Sequence, residues 1–142
     1  MSINVYKYLL DYDIKPSVQR IAIMEYLLKH HTHPCVDEIY MALHNDIPTL
    51  SKTTVYNTLK LFAGHGAAKM LTIDERNIHF DGDTSAHAHF LCKCCGRIFD
   101  MPMHIDEKEM NEMTDKGFSA EEVHSYYKGV CPECKKKRSD KN

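Results

Sequence analysis

The sequence predicts an α+β protein with a winged helix-turn-helix domain followed by a small α/β domain that holds a zinc knuckle site. Residues 1–66 have the apolar spacing of helices, and two short apolar runs typical of a β-hairpin follow them. A small polar segment, "GDTSA", comes next, and two C-x-x-C pairs lie beyond it. We therefore expect a winged-helix domain over 1–81, a hinge over 82–86 and a second domain over 87–142.

Four helices are predicted before the hairpin. Pro16 and Ser17 both suit the start of the second helix. Ser51 suits the N-cap of the fourth helix, which should bury one apolar face and end at "GHG". The segments are "VYKYLLDYD" (5–13), "SVQRIAIMEYLLKHH" (17–31), "VDEIYMALHN" (36–45) and "SKTTVYNTLKLFAGHG" (51–66).

Strands are predicted on both sides of the hinge. "AAKMLTI" and "NIHFDG", separated by "DER", form the expected hairpin. In the second domain we expect strands at "HAHFLCK", "RIFDM" and "EVHSYYKGV", a helix at "DEKEMNEMTDKG", and a frayed tail at "KKKRSDKN".

Composition and charge exclude some classes of protein. Of the 142 residues, 43% are apolar, but no run approaches the ~18 apolar residues of a membrane helix. The N-terminus lacks the basic start and cleavage site of a signal peptide, so a cytoplasmic location is the default expectation. The net charge is −2, yet residues 14–24 and 47–73 contain lysine or arginine and no acid. Any DNA-binding face is therefore expected to be local.

The cysteine spacing predicts a structural zinc site. Each C-x-x-C pair lies beside glycine or proline at a chain reversal, which aims two thiolates at one point. Four thiolates suit tetrahedral Zn²⁺, while buried free thiols and a redox pair are the alternatives. The predicted ligands are Cys92, Cys95, Cys131 and Cys134. Cys94 and Cys35 are interpreted as bystanders.

Histidines and aspartates provide a second candidate site. His87 and His89 lie two apart on a predicted strand and so face the same way. Asp100 lies on the paired strand, while Asp81 and His33 lie before the hinge. These nitrogen and oxygen ligands suit Fe²⁺, Mn²⁺ or Zn²⁺. The alternative is that each residue is separately solvated.

Five motifs resemble those of the Fur (ferric uptake regulator) family, in the same order and over nearly the whole chain. They are "KPSVQR", "HPCVDEIY", "LSKTTVYNTLKLF", "HAHFLCKCCGRIFD" and "YKGVCPEC". Asp81 and Asp100 resemble the peroxide-sensing PerR branch, because the iron-responsive branch usually carries glutamate at both places.

The resemblance implies a metal-dependent repressor with structural Zn²⁺ and a regulatory Fe²⁺ or Mn²⁺, with Zn²⁺ possible in its place. It implies that His33, Asp81, His87, His89 and Asp100 hold the regulatory ion. It also implies that iron and peroxide oxidise His33 or His87, after which the metal leaves and repression ends. Glu107 and His124 remain unassigned.

The resemblance also implies a homodimer that binds a palindromic operator in double-stranded DNA, because such operators are read by symmetric dimers. The C-terminal strands and the helix near 105–116 would join the subunits. Tyr56 and Asn57 are predicted to approach base edges, with core filling as the alternative for Tyr56. Ser51, Thr53 and Thr54 lie at the same exposed helix start. Phosphate or minor-groove contacts are assigned to Lys15, Arg20, Lys52 and Lys60.

Two other functions stay open. One is an iron- or zinc-uptake regulator of the same family, without oxidation chemistry. The other is a non-haem iron enzyme, since two histidines and a carboxylate also form that type of site. We expect no enzyme activity, no membrane contact and no small-molecule substrate other than peroxide.

Overall fold

All four helices predicted before the hairpin are present. A computed structural model describes residues 4–140, apart from the side chain of Asp140. The chain folds as two compact units, with the boundary between Ser85 and Ala86. The helices of the first unit are α1 (Val5–Asp11), α2 (Val18–Lys29), α3 (Val36–Leu43) and α4 (Lys52–Gly64).

Two serines begin the second and fourth helices. Ser17 is the N-cap of α2, where its hydroxyl accepts a hydrogen bond from the Arg20 amide at 3.2 Å. Ser51 caps α4 in the same way, accepting from the Thr54 amide at 3.1 Å. The predicted apolar face of α4 is confirmed, because Val55, Leu59 and Phe62 are fully buried.

The hairpin follows α4 as predicted but pairs over fewer residues. Strands β1 (Lys69–Leu71) and β2 (His79–Asp81) are antiparallel. The connection between them is longer than "DER" because pairing stops at Leu71 and begins again at His79. Within it, Asp74 accepts a hydrogen bond from the Arg76 amide at 2.9 Å. The four helices and this hairpin give the first unit its winged-helix architecture.

The second unit is built on a three-stranded sheet. Strand β3 (Ala88–Cys92) lies in the centre, antiparallel to β4 (Ile98–Met101) and parallel to β5 (Tyr126–Gly129). Helix α5 (Glu107–Asp115) connects β4 to β5. The α+β prediction is therefore confirmed.

The prediction of a frayed tail was wrong as far as residue 140. Residues Pro132–Asp140 form α6. Proline suits the first turn of a helix, and Glu133 near the start with Lys137 and Arg138 near the end favour the helix dipole. Residues 141 and 142 lie outside the described part.

The two units have very different cores. The first unit buries a large cluster of aliphatic and aromatic side chains from all four helices and the hairpin. In residues 86–140 the buried side chains are Ala88, His89, Cys92, Ile98 and Cys131. Ile98 is thus the one large aliphatic side chain buried in that range. Within residues 4–140, every helix is too short or too polar to cross a bilayer.

Candidate metal centres

The four cysteines predicted as zinc ligands come together in the second unit. Their sulfur atoms all lie within 4.8 Å of one another. Cys92 ends β3, and a turn closed by Gly96, whose φ is +77°, brings Cys95 back toward it. Cys131 and Cys134 lie at the start of α6. Each C-x-x-C pair thus forms one knuckle at a chain reversal, Cys92 with Cys95 and Cys131 with Cys134, and the two knuckles face each other.

Hydrogen bonds lower the pKa values of two thiols in this cluster and raise that of a third. The amides of Cys95 and Cys131 lower the pKa of Cys92 to about 5. The guanidinium of Arg97 is the largest cause of a lowered pKa at Cys95. The sulfur of Cys131, followed by burial, raises the pKa of Cys134 to about 12. A dication that binds here removes the remaining protons. The cluster suits structural Zn²⁺, which takes four thiolates in a closed tetrahedral site.

Arg97 bridges the two knuckles, a role that the sequence analysis missed. Its Nε donates to Cys95 Sγ at 3.4 Å and its Nη2 to Cys131 Sγ at 3.8 Å. Nη2 also donates to the carboxylate of Glu133. The signal in the sequence was the position of Arg97, two residues after Cys95 and directly before the strand that carries Asp100.

A histidine and aspartate cluster lies on the same sheet. His89 and Asp100 are cross-strand partners in the register of β3 and β4. Asp100 Oδ1 lies 3.2 Å from His87 Nε2 and 3.5 Å from His89 Nε2. The two histidine side chains are almost fully buried, whereas Asp100 is half exposed. The cluster offers nitrogen and oxygen donors without a thiolate, and these donors suit Fe²⁺ or Mn²⁺.

The remaining two predicted ligands meet in the first unit. His33 Nε2 lies 3.5 Å from Asp81 Oδ2, and both side chains are about 95% buried. His33 has a φ of +56°, an uncommon conformation for a residue other than glycine. A buried imidazole against a buried carboxylate contradicts the alternative in which this loop histidine is solvated.

His79 holds the His33 loop in place, a role that the sequence analysis missed. Its Nδ1 lies 2.6 Å from the His33 carbonyl oxygen, and its Nε2 lies 3.0 Å from Asp74 Oδ2. The Phe80 amide also donates to the Pro34 carbonyl at 2.9 Å. The loop is thereby attached to β2, the strand that ends at Asp81. The two-residue spacing of His79 and Asp81 on this strand was the available signal.

The predicted DNA-contacting residues cluster around the start of α4 and the loop before α2. Arg20 Nη1 donates to the Lys15 carbonyl at 2.8 Å, and Lys60 Nζ lies 5.4 Å from the centre of the Tyr56 ring. Ser51, Lys52, Thr53, Asn57 and Lys60 are exposed, and Thr54 and Tyr56 are half-buried. The acid-free stretch around Lys52 has an acidic neighbour in space, because Asp37 of α3 lies 3.1 Å from Lys52 Nζ.

The four unassigned or bystander residues lie outside both clusters. Cys94 is exposed and accepts from Arg138 Nη2 at 2.9 Å. Cys35 precedes α3 and forms an isolated antiparallel β-bridge with His79 of β2. His124 Nε2 lies 3.2 Å from Glu122, and Glu107 lies in the exposed first turn of α5.

Comparisons with known proteins agree on one family. The model of the ferric uptake regulator family matches residues 11–127. The peroxide-responsive repressor PerR of Staphylococcus aureus strain Mu50 is 39% identical over 127 residues, which is 87% of this chain and 84% of that protein.

Solved structures show the same fold. The Streptococcus pyogenes peroxide sensor PerR is 29% identical, with a TM-score of 0.51 over 92% of this chain and 90% of that one. The Helicobacter pylori ferric uptake regulator is 20% identical, with a TM-score of 0.71 over 95% of this chain and 97% of that one, and this likeness shows the fold alone. The extent of the family match and the identity with PerR decide the assignment: this chain belongs to the ferric uptake regulator family.

Proposed function

We propose that this protein is a metal-dependent transcriptional repressor that senses peroxide. The observation that carries the proposal is the thiol-free cluster of His87, His89 and Asp100, whose donors suit a redox-active Fe²⁺. Aspartate at positions 81 and 100 and the 39% identity with a peroxide-responsive repressor support the same function.

The regulatory ion would take its ligands from both histidine and aspartate sets, as the family resemblance implies. His33 and Asp81 offer two ligands in the first unit, and His87, His89 and Asp100 offer three in the second. Fe²⁺ and Mn²⁺ take five or six ligands, so neither set alone fills the coordination shell. An ion that took ligands from both sets would shift the population toward the form of the chain that binds DNA.

Peroxide acts through the same residues. Bound Fe²⁺ would supply the redox chemistry that activates H₂O₂, which Mn²⁺ would not supply. A ring carbon of His33 or His87 would then gain one oxygen atom of H₂O₂, the other oxygen would leave as water, and the oxidised ring would be a poorer ligand. Loss of the ion would then remove the preference for the DNA-binding form and release the operator.

The remaining surfaces support DNA binding by a homodimer. Asn57 is exposed and Tyr56 is half-buried near the N-terminal turns of α4, the helix before the β1–β2 hairpin, where they would approach base edges in the major groove. Ser51 and Thr53 are exposed at the start of the same helix. In the second unit β5 is an edge strand, and Tyr127 on it is 53% exposed. Ile105 and Phe118, at either end of α5, are 51% and 65% exposed. An apolar surface with an open strand edge suits a second copy of the chain.

The experiment measures binding to a duplex that the protein itself selects from random DNA in the presence of Mn²⁺. Binding is titrated with Fe²⁺, Mn²⁺ and Zn²⁺, before and after H₂O₂. We expect loss of binding only for the iron form, together with a +16 Da adduct on His33 or His87. Fragment spectra must locate the oxygen, because Cys35 and Met41 follow His33 closely in the sequence.

His31 and His79 are the internal controls for the position of the adduct, and neither should gain oxygen. They lie near His33 and His87 in the sequence but outside the predicted ligand set. Metal-dependent binding without a histidine adduct would favour an iron- or zinc-uptake regulator instead. Turnover of an organic substrate, with no DNA selected, would favour the enzyme alternative.

A further inference from the structure

The cysteine cluster carries an uncompensated negative charge once its metal is bound. Four thiolates around one Zn²⁺ leave a formal excess of roughly two negative charges. Arg97 is placed to offset part of this charge, because two of its nitrogens donate to sulfurs on opposite knuckles. Its planar fork spans both sulfurs, which a lysine ammonium cannot do as well.

The four cysteine residues of the cluster are unequally exposed to solvent. Cys92 and Cys131 are buried, Cys134 is half-buried, and Cys95 is exposed. Cys95 is therefore the ligand that a small oxidant reaches first. It is also the ligand to which Arg97 donates at the shorter distance, 3.4 Å against 3.8 Å for Cys131.

We propose that Arg97 protects the structural zinc site from oxidation by peroxide. The reaction it slows is attack of the Cys95 sulfur on H₂O₂. This attack forms an S–O bond, breaks the O–O bond and gives a sulfenic acid and hydroxide. The oxidised sulfur is a poor ligand, so zinc is lost. The inference rests on the proposed function in that a peroxide sensor must keep its dimer unit intact while its regulatory site reacts.

The expected size of the effect follows from the electron density on sulfur. A hydrogen bond from a cation withdraws density from the lone pair that attacks the oxidant. A less basic thiolate is a weaker nucleophile, and the Brønsted coefficient that relates the two is about 0.4–0.5. A tenfold change in sulfur basicity therefore changes the rate of attack by about threefold. If removal of both Arg97 contacts raises the basicity of the Cys95 sulfur tenfold, oxidation accelerates by about threefold.

The test uses zinc-loaded, full-length protein with Mn²⁺ in place of iron. A chromophoric chelator reports zinc loss in H₂O₂ and, separately, without H₂O₂. We expect Arg97→Gln to lose zinc about threefold faster in peroxide, with a smaller change in peroxide-free loss. Arg97→Lys should be intermediate. Arg138→Gln is the matched control, because Arg138 contacts Cys94, outside the cluster.

Equal peroxide-driven rates in Arg97→Gln and the unaltered protein would overturn the proposal. A parallel rise in both rates would also overturn it, because Arg97 would then serve only the stability of the site. If Arg97→Gln does not take up zinc, Arg97→Lys decides, and a rate equal to that of the unaltered protein refutes the role of the fork. The assay uses neither DNA nor iron, so its outcome is independent of the test of peroxide sensing.

Discussion

Loss of the structural metal should unfold the second unit and spare the first. The change we consider is Cys131→Ser, which replaces the thiol of a predicted zinc ligand, 1% exposed, by a hydroxyl of similar size. In residues 86–140 Ile98 is the one large aliphatic side chain that is buried, and burial of such a side chain contributes about 1.5–3 kcal/mol. A structural Zn²⁺ site contributes an apparent ~10–16 kcal/mol at neutral pH. The metal therefore outweighs the apolar core of this unit several times over.

The assay is amide NMR of the Cys131→Ser protein after treatment with a chelator. We expect the signals of Leu59 and Phe62 in α4 to remain dispersed, because they lie in the large core of the first unit. Signals from the parallel pairing of His89 with Tyr126 should collapse. Cys94→Ser is the control and should keep both sets. Native pairing of β3 with β5 in the metal-free variant would refute the reasoning, since the sheet would then stand without its metal.

Four further substitutions test the two caps, the His33 loop and a half-buried tyrosine. Ser51→Ala and Ser17→Ala should each lower the free energy of unfolding by about 1 kcal/mol, because each removes one N-cap hydrogen bond. Only Ser51→Ala should also weaken operator binding. His79→Phe should weaken Mn²⁺ binding by about 10–100-fold, as measured by chelator competition, because the His33 carbonyl loses its contact. Burial raises the pKa of Tyr8 to about 12, above its value of 10.0 in the unfolded chain, so its contribution to stability is complete below pH 10 and is lost as the pH rises through 12. Tyr8→Phe should therefore show a shallower loss of stability in alkaline urea titrations.

Each of these expectations has a contradicting outcome. Equal operator affinity in the two serine variants would remove Ser51 from the DNA interface. His31→Phe, at an exposed histidine, is the control for His79, and equal Mn²⁺ affinity in both variants would remove the positioning role. If Tyr8→Phe leaves the alkaline loss of stability unchanged, that loss must come from the titration of another group.

Local pattern was enough to predict the elements and the ligand types, but not the contacts that support them. Caps at Ser17 and Ser51 and the face of α4 depend on neighbours within one turn, and the cysteine spacing depends on two local knuckles. The bond from His79 to His33 joins residues 46 apart, and the one from Arg97 to Cys131 joins residues 34 apart. These contacts depend on how β2 packs against the His33 loop and how the start of α6 packs against the three-stranded sheet. Helix α6 itself was missed because its lysine-rich sequence lacks an apolar face to reveal the period.

The exposed thiol of Cys94 has a practical consequence at the bench. In air, surface thiols of two molecules join as a disulfide, and a non-reducing gel then shows a covalent pair unrelated to physiological self-association. Preparations for mass measurement are therefore best kept under reductant or made with serine at this position. The same thiol is a convenient point for attaching a single fluorophore once the other cysteines are occupied by zinc or shielded within the fold.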